Sequence, residues 1–295
     1  MKQIQDILKK NSLRANKYER CGKVITIDTK NGKYVIKSKR NNQDIFNYLV
    51  TRNFNCYPDI IDNDDHYEIT RYIDNIDIPD EQKMNDLITL VANLHSKTSY
   101  YKELDDAQYK KLYEDLSNNI EYLKEYYNDL ITIIDSKAYL SPSEYLFARN
   151  YSSILSAIEF CDTKINEWYK KVSSLGKARV SVIHNNLNLS HFIKNNSDYL
   201  ISWDKAKIDF PIFDLYKLYN NHVLDFDFSE ILKKYERIYP LKEEELMLLF
   251  ILISMPKKIE FNDSNYKMCT EISNELDKIY KTQKLIKEYK KINEN

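Results

Sequence analysis

"VIHNNLNLSHFI", residues 182–193, lies between two apolar, β-branched runs, "ARVSVIH" (178–184) and "DYLISWD" (198–204). The strand–loop–strand island that this pattern predicts sits in a chain that reads as helical on both sides. Within the loop Val182, Ile183, Leu187, Leu189, Phe192 and Ile193 supply the apolar frame. His184 opens it, and amides follow at Asn185, Asn186 and Asn188. An amide can orient a hydroxyl, but at neutral pH it cannot take a proton as a carboxylate can.

Upstream, "KVITIDTKNGKYVIKSK" (23–39) carries two β-branched runs around Asn31-Gly32, a hairpin signal. Alternation puts Val35 and Lys37 on one face and Tyr34 and Ile36 on the other. "NNQDIFNYLVTRNF" (41–54) has Ile45, Tyr48, Leu49 and Phe54 behind an Asn/Asp-rich start, which predicts a helix. "YPDIIDNDDHYEITRYID" (57–74) predicts two more strands around a polar turn. Residues 1–77 thus form a small sheet with one helix, and residues 78–295 form a mainly helical domain. That second domain starts with "PDEQKMNDLITLVANLHSKT" (79–98), with Pro at a helix entrance and Met84, Leu87, Leu90, Val91 and Leu94 at helical spacing. Residues 105–137 and 142–174 each predict a long helix or a broken pair, with Tyr, Leu and Ile stripes that read as core. The island occupies 179–210. From Pro211 onward helices return, including "FPIFDLYKLYNNH" (210–222) and "PLKEEELMLLFILISM" (240–255).

Bulk composition narrows the function classes. The 295 residues are 43% hydrophobic and 30% charged, which predicts a globular chain. Lys+Arg (44) and Asp+Glu (45) nearly cancel, which argues against a nucleic-acid partner. Cys21, Cys56, Cys161 and Cys269 are far apart and form no CxxC pair, so they predict reduced thiols rather than a zinc or redox site. The N-terminus has no signal-peptide core, and the run at 246–255 is too short to span a bilayer. A cytoplasmic protein without a membrane partner is expected. Abundant Asn, Lys and Ile suggest an AT-rich bacterial genome.

The order hairpin with a lysine, helix, strands, helices and loop–strand–loop island resembles the protein-kinase-like fold, in the branch of aminoglycoside phosphotransferases and choline kinases. The carriers are "YVIK" (34–37), "LVANLHSKT" (90–98), "VIHNNLNLSHFI" (182–193) and "YLISWDKAKIDFPIFDLYKL" (199–218). The DxPIxDLxK pattern from Asp209 to Lys217 is similar to the spore-coat kinase-like subgroup, as is the long helical insertion at about 105–174. The resemblance implies an α+β, two-lobed fold, with a small antiparallel-sheet N-lobe and a large, mainly helical C-lobe. It also implies site residues. The family's loop reads HxDxxxxN, and here it reads H-N-N-L-N-L-S-H. His184 is kept as the loop's brace, Asn186 stands at the catalytic Asp, and His191 stands at the metal-binding Asn. The acid of the later IDxx motif falls on Ser202 in Ile201-Ser202-Trp203-Asp204. Lys37 matches the phosphate-pairing lysine, with Asp44 its candidate partner at the next helix. A single glycine, Gly22, marks the phosphate loop. Asp214 matches the structural acid that ties the loop to the following helix.

The substitutions have unequal consequences. General-base help is worth roughly 10²–10⁴-fold, so Asn186 alone would leave a slow enzyme. The metal positions matter more, because magnesium takes hard oxygen ligands in an octahedral shell. An imidazole and a hydroxyl offer neither the charge nor the geometry. Asp204 lies two residues past Ser202, on the same face of a strand, and with His191 would make a mixed N/O site for manganese or zinc. Alternatively, Asp204 caps a turn or meets Lys205 or Lys207 in solvent.

These residues favour a pseudokinase that requires no cofactor and acts by binding an unidentified small molecule or protein, with ATP and a divalent metal held weakly if at all. The runner-up is an active, atypical ATP-dependent small-molecule kinase using Asp204 and His191. A third expectation is a pure binder, using either a polar pocket or a Tyr-rich face of the 105–174 insertion.

Overall fold

The computed structural model describes residues 7–22, 24–39, 43–63, 66–103, 106–261 and 264–293. The turn at Asp64 and Asp65, the helix entrance at Asn41 and Asn42, and Lys23 lie outside them. The chain divides into two compact units, Met1–Thr98 with Val182–Ile208, and Ser99–Ser181 with Asp209–Asn295.

Unit 1 is built on a five-stranded antiparallel sheet of order β1-β2-β3-β5-β4, made of β1 (Ala15–Cys21), β2 (Val24–Thr29), β3 (Gly32–Ser38), β4 (Ile60–Asn63) and β5 (Tyr67–Arg71). Thr29 pairs with Gly32, so Lys30 and Asn31 make the hairpin connection and Gly32, at φ 118°, opens β3. Ile27, Tyr34, Ile36 and Ile69 cover one sheet face, packed with Ile7, Leu8 and Leu13. Their alternation is the one expected for a strand buried on one side. Helix α1 (Gln43–Thr51) buries Phe46 and Leu49. Helix α2 (Asp80–Thr98) is acidic in its first turn and buries an apolar stripe from Met84 to Leu94 together with His95. It packs against the 3-10 turn Leu189–His191 and strands β8 (Phe192–Lys194) and β9 (Asp198–Leu200).

In unit 2, α3 (Asp106–Asp135) and α4 (Pro142–Val172) are each one continuous helix, 30 and 31 residues long. Tyr127 stacks on Phe147 with both fully buried, as expected of core, whereas the stacked pair Tyr113 and Tyr169 is half-buried. Short strand β6 (Tyr100–Glu103) pairs antiparallel with β7 (Lys177–Ile183), a pairing the sequence did not suggest. The chain crosses between units within β7 and again within β10 (Lys207–Asp209). Helices α5 (Ile212–His222), α6 (Phe228–Glu236), α7 (Glu243–Ser254) and α8 (Asn265–Asn293) complete the unit. The apolar run of α7 is buried from Leu248 to Ile253. Arg179 grips Glu245 through two guanidinium nitrogens, and its guanidinium lies 4.1 Å from the Tyr239 ring centre. Among the described residues no helix is long and apolar enough to cross a membrane.

Candidate functional site

Unit 1 brings together most of the sequence-predicted residues. The loop after β7 is held by its own amides. Asn185 sits at φ 57°, a left-handed conformation that Asn tolerates better than most residues, and its Nδ2 donates to Lys205 O at 3.0 Å. Asn188 Oδ1 accepts from the Ser190 amide and from Ser190 Oγ, both at 2.9 Å, which caps the 3-10 turn. Two of the three amides therefore have structural work. Among the described residues no hydrogen bond uses the Asn186 side chain, which is half-buried.

Both histidines are tied to the backbone of Ile201. His184 is fully buried, and its Nε2 donates to Ile201 O at 2.8 Å. The Ile201 amide donates to His191 O at 2.9 Å. His191 Nδ1 donates to Asn186 O at 2.7 Å. A carbonyl only accepts, so these bonds place a proton on His184 Nε2 and on His191 Nδ1. The ring centres are 6.1 Å apart.

Ser202 takes φ 66° and ψ 47° and leads into the 3-10 turn Trp203–Lys205. Trp203 is fully buried and donates from Nε1 to Leu200 O at 2.7 Å. Its ring lies edge-on to His184 at 4.9 Å, with Phe46, Phe54 and Tyr57 around it at 5.9–6.2 Å. This aromatic packing anchors the loop from below. Asp204, next in the chain, is exposed.

Lys37 stands on β3 directly opposite Glu68 of β5. Opposed residues of an antiparallel pair share a face, and this is the face away from Ile36 and Ile69. Glu68 is only 4% exposed, whereas Asp44, in the first turn of α1, is exposed. The sequence reading missed Glu68 because its proximity to Lys37 depends on strand register. The alternation in "HYEITR" (66–71) was the available signal. Gly22, at φ 59°, follows Cys21, the last residue of β1, which pairs with Val24 of β2. Asp214 belongs to unit 2 and is fully buried in the first turn of α5.

The donor set does not fit a magnesium–triphosphate. It consists of an amide, an imidazole nitrogen, a hydroxyl and one exposed carboxylate, where a shell of hard oxygens with carboxylates among them is required. Among the described residues no group of three or more His, Cys, Asp or Glu side chains converges as a metal site would require.

No protein-family model matches the sequence, and no curated protein is significantly similar to it. Solved structures do match in fold. The aminoglycoside phosphotransferase of Alicyclobacillus acidocaldarius aligns with a TM-score of 0.70 at 9% identity, over 93% of this chain and 92% of that one. The AMP complex of a spectinomycin phosphotransferase aligns at 0.58 and 12%, over 95% and 97%. The choline kinase LicA of Streptococcus pneumoniae aligns at 0.50 and 16%, over 97% and 98%. The chain therefore has the α+β, protein-kinase-like fold of these enzymes, with a small antiparallel-sheet lobe and a helical lobe.

Proposed function

We propose that this chain is a degenerate member of the aminoglycoside phosphotransferase and choline kinase superfamily, a pseudokinase that acts by binding a ligand or partner. One observation carries the reading. Asn186, His191 and Ser202 occupy the three positions where a magnesium-dependent phosphotransferase needs two acids and an amide oxygen. The Asp209–Lys217 pattern is similar to that of the spore-coat kinase-like subgroup of bacteria, and a cytoplasmic location is consistent with that reading. Ile133, Tyr139, Leu140 and Tyr145, all exposed around the connection between α3 and α4, favour a protein partner over nucleic acid or membrane. Phosphotransfer and ATPase assays with magnesium, manganese and zinc test the proposal. No turnover above background is expected, and turnover abolished by Asp204→Ala would overturn it.

A second reading rests on His191. A metal-ligating histidine commonly donates its other ring N–H to a carbonyl, as His191 does to Asn186 O. With Asp204 it would hold manganese or zinc beside ATP in an atypical small-molecule kinase. A nucleotide-induced melting shift that requires one of those metals and disappears in His191→Ala favours this reading. The absence of a shift with any nucleotide rejects it.

A further inference from the structure

Unit 2 contains a cavity of about 510 Å³ between the end of α5, the segment after α7 and the first half of α8. That volume is in the range of small-molecule sites. Two charged residues one turn apart on α8, Glu275 and Lys278, line it while only 6% exposed each. The Lys278 ammonium has three N–H donors, yet its two contacts are long, 3.5 Å to Met255 O and 3.8 Å to Glu275 Oε1. Glu275 Oε1 also accepts the Lys257 amide at 2.9 Å. Burial lowers the Lys278 pKa, only partly opposed by Glu275. Apolar residues commonly replace a buried ion pair at no loss of stability, so stability alone does not explain a lysine here.

Asn220, at the end of α5, lines the same cavity. The cavity thus has one under-used buried donor, the Lys278 ammonium. Lys257 and the acids Asp225 and Glu271 also line it. Lys258 is already engaged, 3.2 Å from Glu260 and over the Tyr126 ring. Such a balance of signs disfavours ligands with several charges of one sign and favours a ligand with one of each.

We propose that this cavity binds a small zwitterion of the free amino-acid class, its carboxylate on Lys278 and Lys257 and its ammonium on the carboxylates of Asp225 and Glu271. The inference stands apart from the kinase-like reading of unit 1. Thermal melts and calorimetric titrations of the full chain test it, using the individual proteinogenic amino acids, succinate, putrescine and glucose at millimolar concentration. One or a few amino acids should raise the melting temperature in a concentration-dependent way, and the diacid, diamine and sugar should not. Lys278→Met/Glu275→Leu, which removes the buried pair together, and separately Asp225→Asn/Glu271→Gln, should keep the unliganded melt and weaken binding about tenfold or more. If the first variant does not fold, the second alone decides. The proposal falls if no amino acid binds, if succinate, putrescine or glucose binds equally well, or if affinity survives in the folded variants.

Discussion

Residues in the loop separate into those that hold it and those that would do chemistry. His184 is fully buried and satisfies Ile201 O, which would otherwise be left unpaired near the Trp203 ring. His184→Ala should therefore cost about 2–4 kcal/mol, from the lost bond and the space left behind. Asn186→Ala should change stability by no more than about 0.5 kcal/mol, since its side chain makes no hydrogen bond among the described residues. Urea denaturation of both variants checks the contrast, and equal costs would contradict it. The same scale governs Lys37 and Glu68. Their opposed positions on β3 and β5 should give a coupling of about 0.5–1 kcal/mol in a double-mutant cycle of Lys37→Met and Glu68→Gln. A cycle of Lys37→Met with Asp44→Asn should give a coupling near zero.

Elements show what the sequence could and could not reveal. Helix α4 announces its own start, with Ser141, Pro142 and Glu144 at N-cap, N1 and N3. Glu144 accepts from Lys137 and from the Ser141 amide at 2.8 Å, and these bonds, that of Lys137 foremost, lower its pKa from the ordinary 4.5 to about 2. The ionised form is favoured in the folded helix, so its stabilisation is complete above pH 4.5 and fades as pH falls toward 2. Hydrogen exchange at residues 143–146 should accelerate over that window in the parent and lose this pH dependence in Glu144→Gln. Local signals of this kind, with the β-branched runs around Asn31-Gly32 and the apolar frame of 182–193, made most elements legible, although the turn itself falls one residue earlier, at Lys30-Asn31, because Gly32 pairs with Thr29. Elements fixed by distant pairing were not. Strand β6 exists because Tyr100–Glu103 meets Lys177–Val180, and Arg179 finds Glu245 across 66 positions. For the same reason the site was legible as a set of loop positions, while Glu68 stayed hidden behind an unknown register.

On the scale of the whole molecule, the kinase-like fold persists at 9–16% identity to its solved neighbours, so what specifies it is the apolar frame rather than the polar loop positions. Fold and chemistry are then separable, and on the proposed pseudokinase reading the chemistry should be recoverable without refolding the chain. Position 202 is already shaped for an acid, because its backbone is left-handed and Asp tolerates that region better than Ser does. At position 191, Asn is smaller than His and gives up only the ring's bond to Asn186 O, worth about 1 kcal/mol. Asn186→Asp leaves the loop's other bonds in place, because they come from Asn185 and Asn188. The triple variant Asn186→Asp/His191→Asn/Ser202→Asp should therefore melt within several degrees of the parent and gain a magnesium-dependent stabilisation by ATP that the parent lacks. Melting curves of both proteins with ATP, with magnesium, and with the two together measure this. A folded triple variant with no magnesium-dependent shift would mean that these three side chains are not sufficient for a metal-dependent nucleotide site.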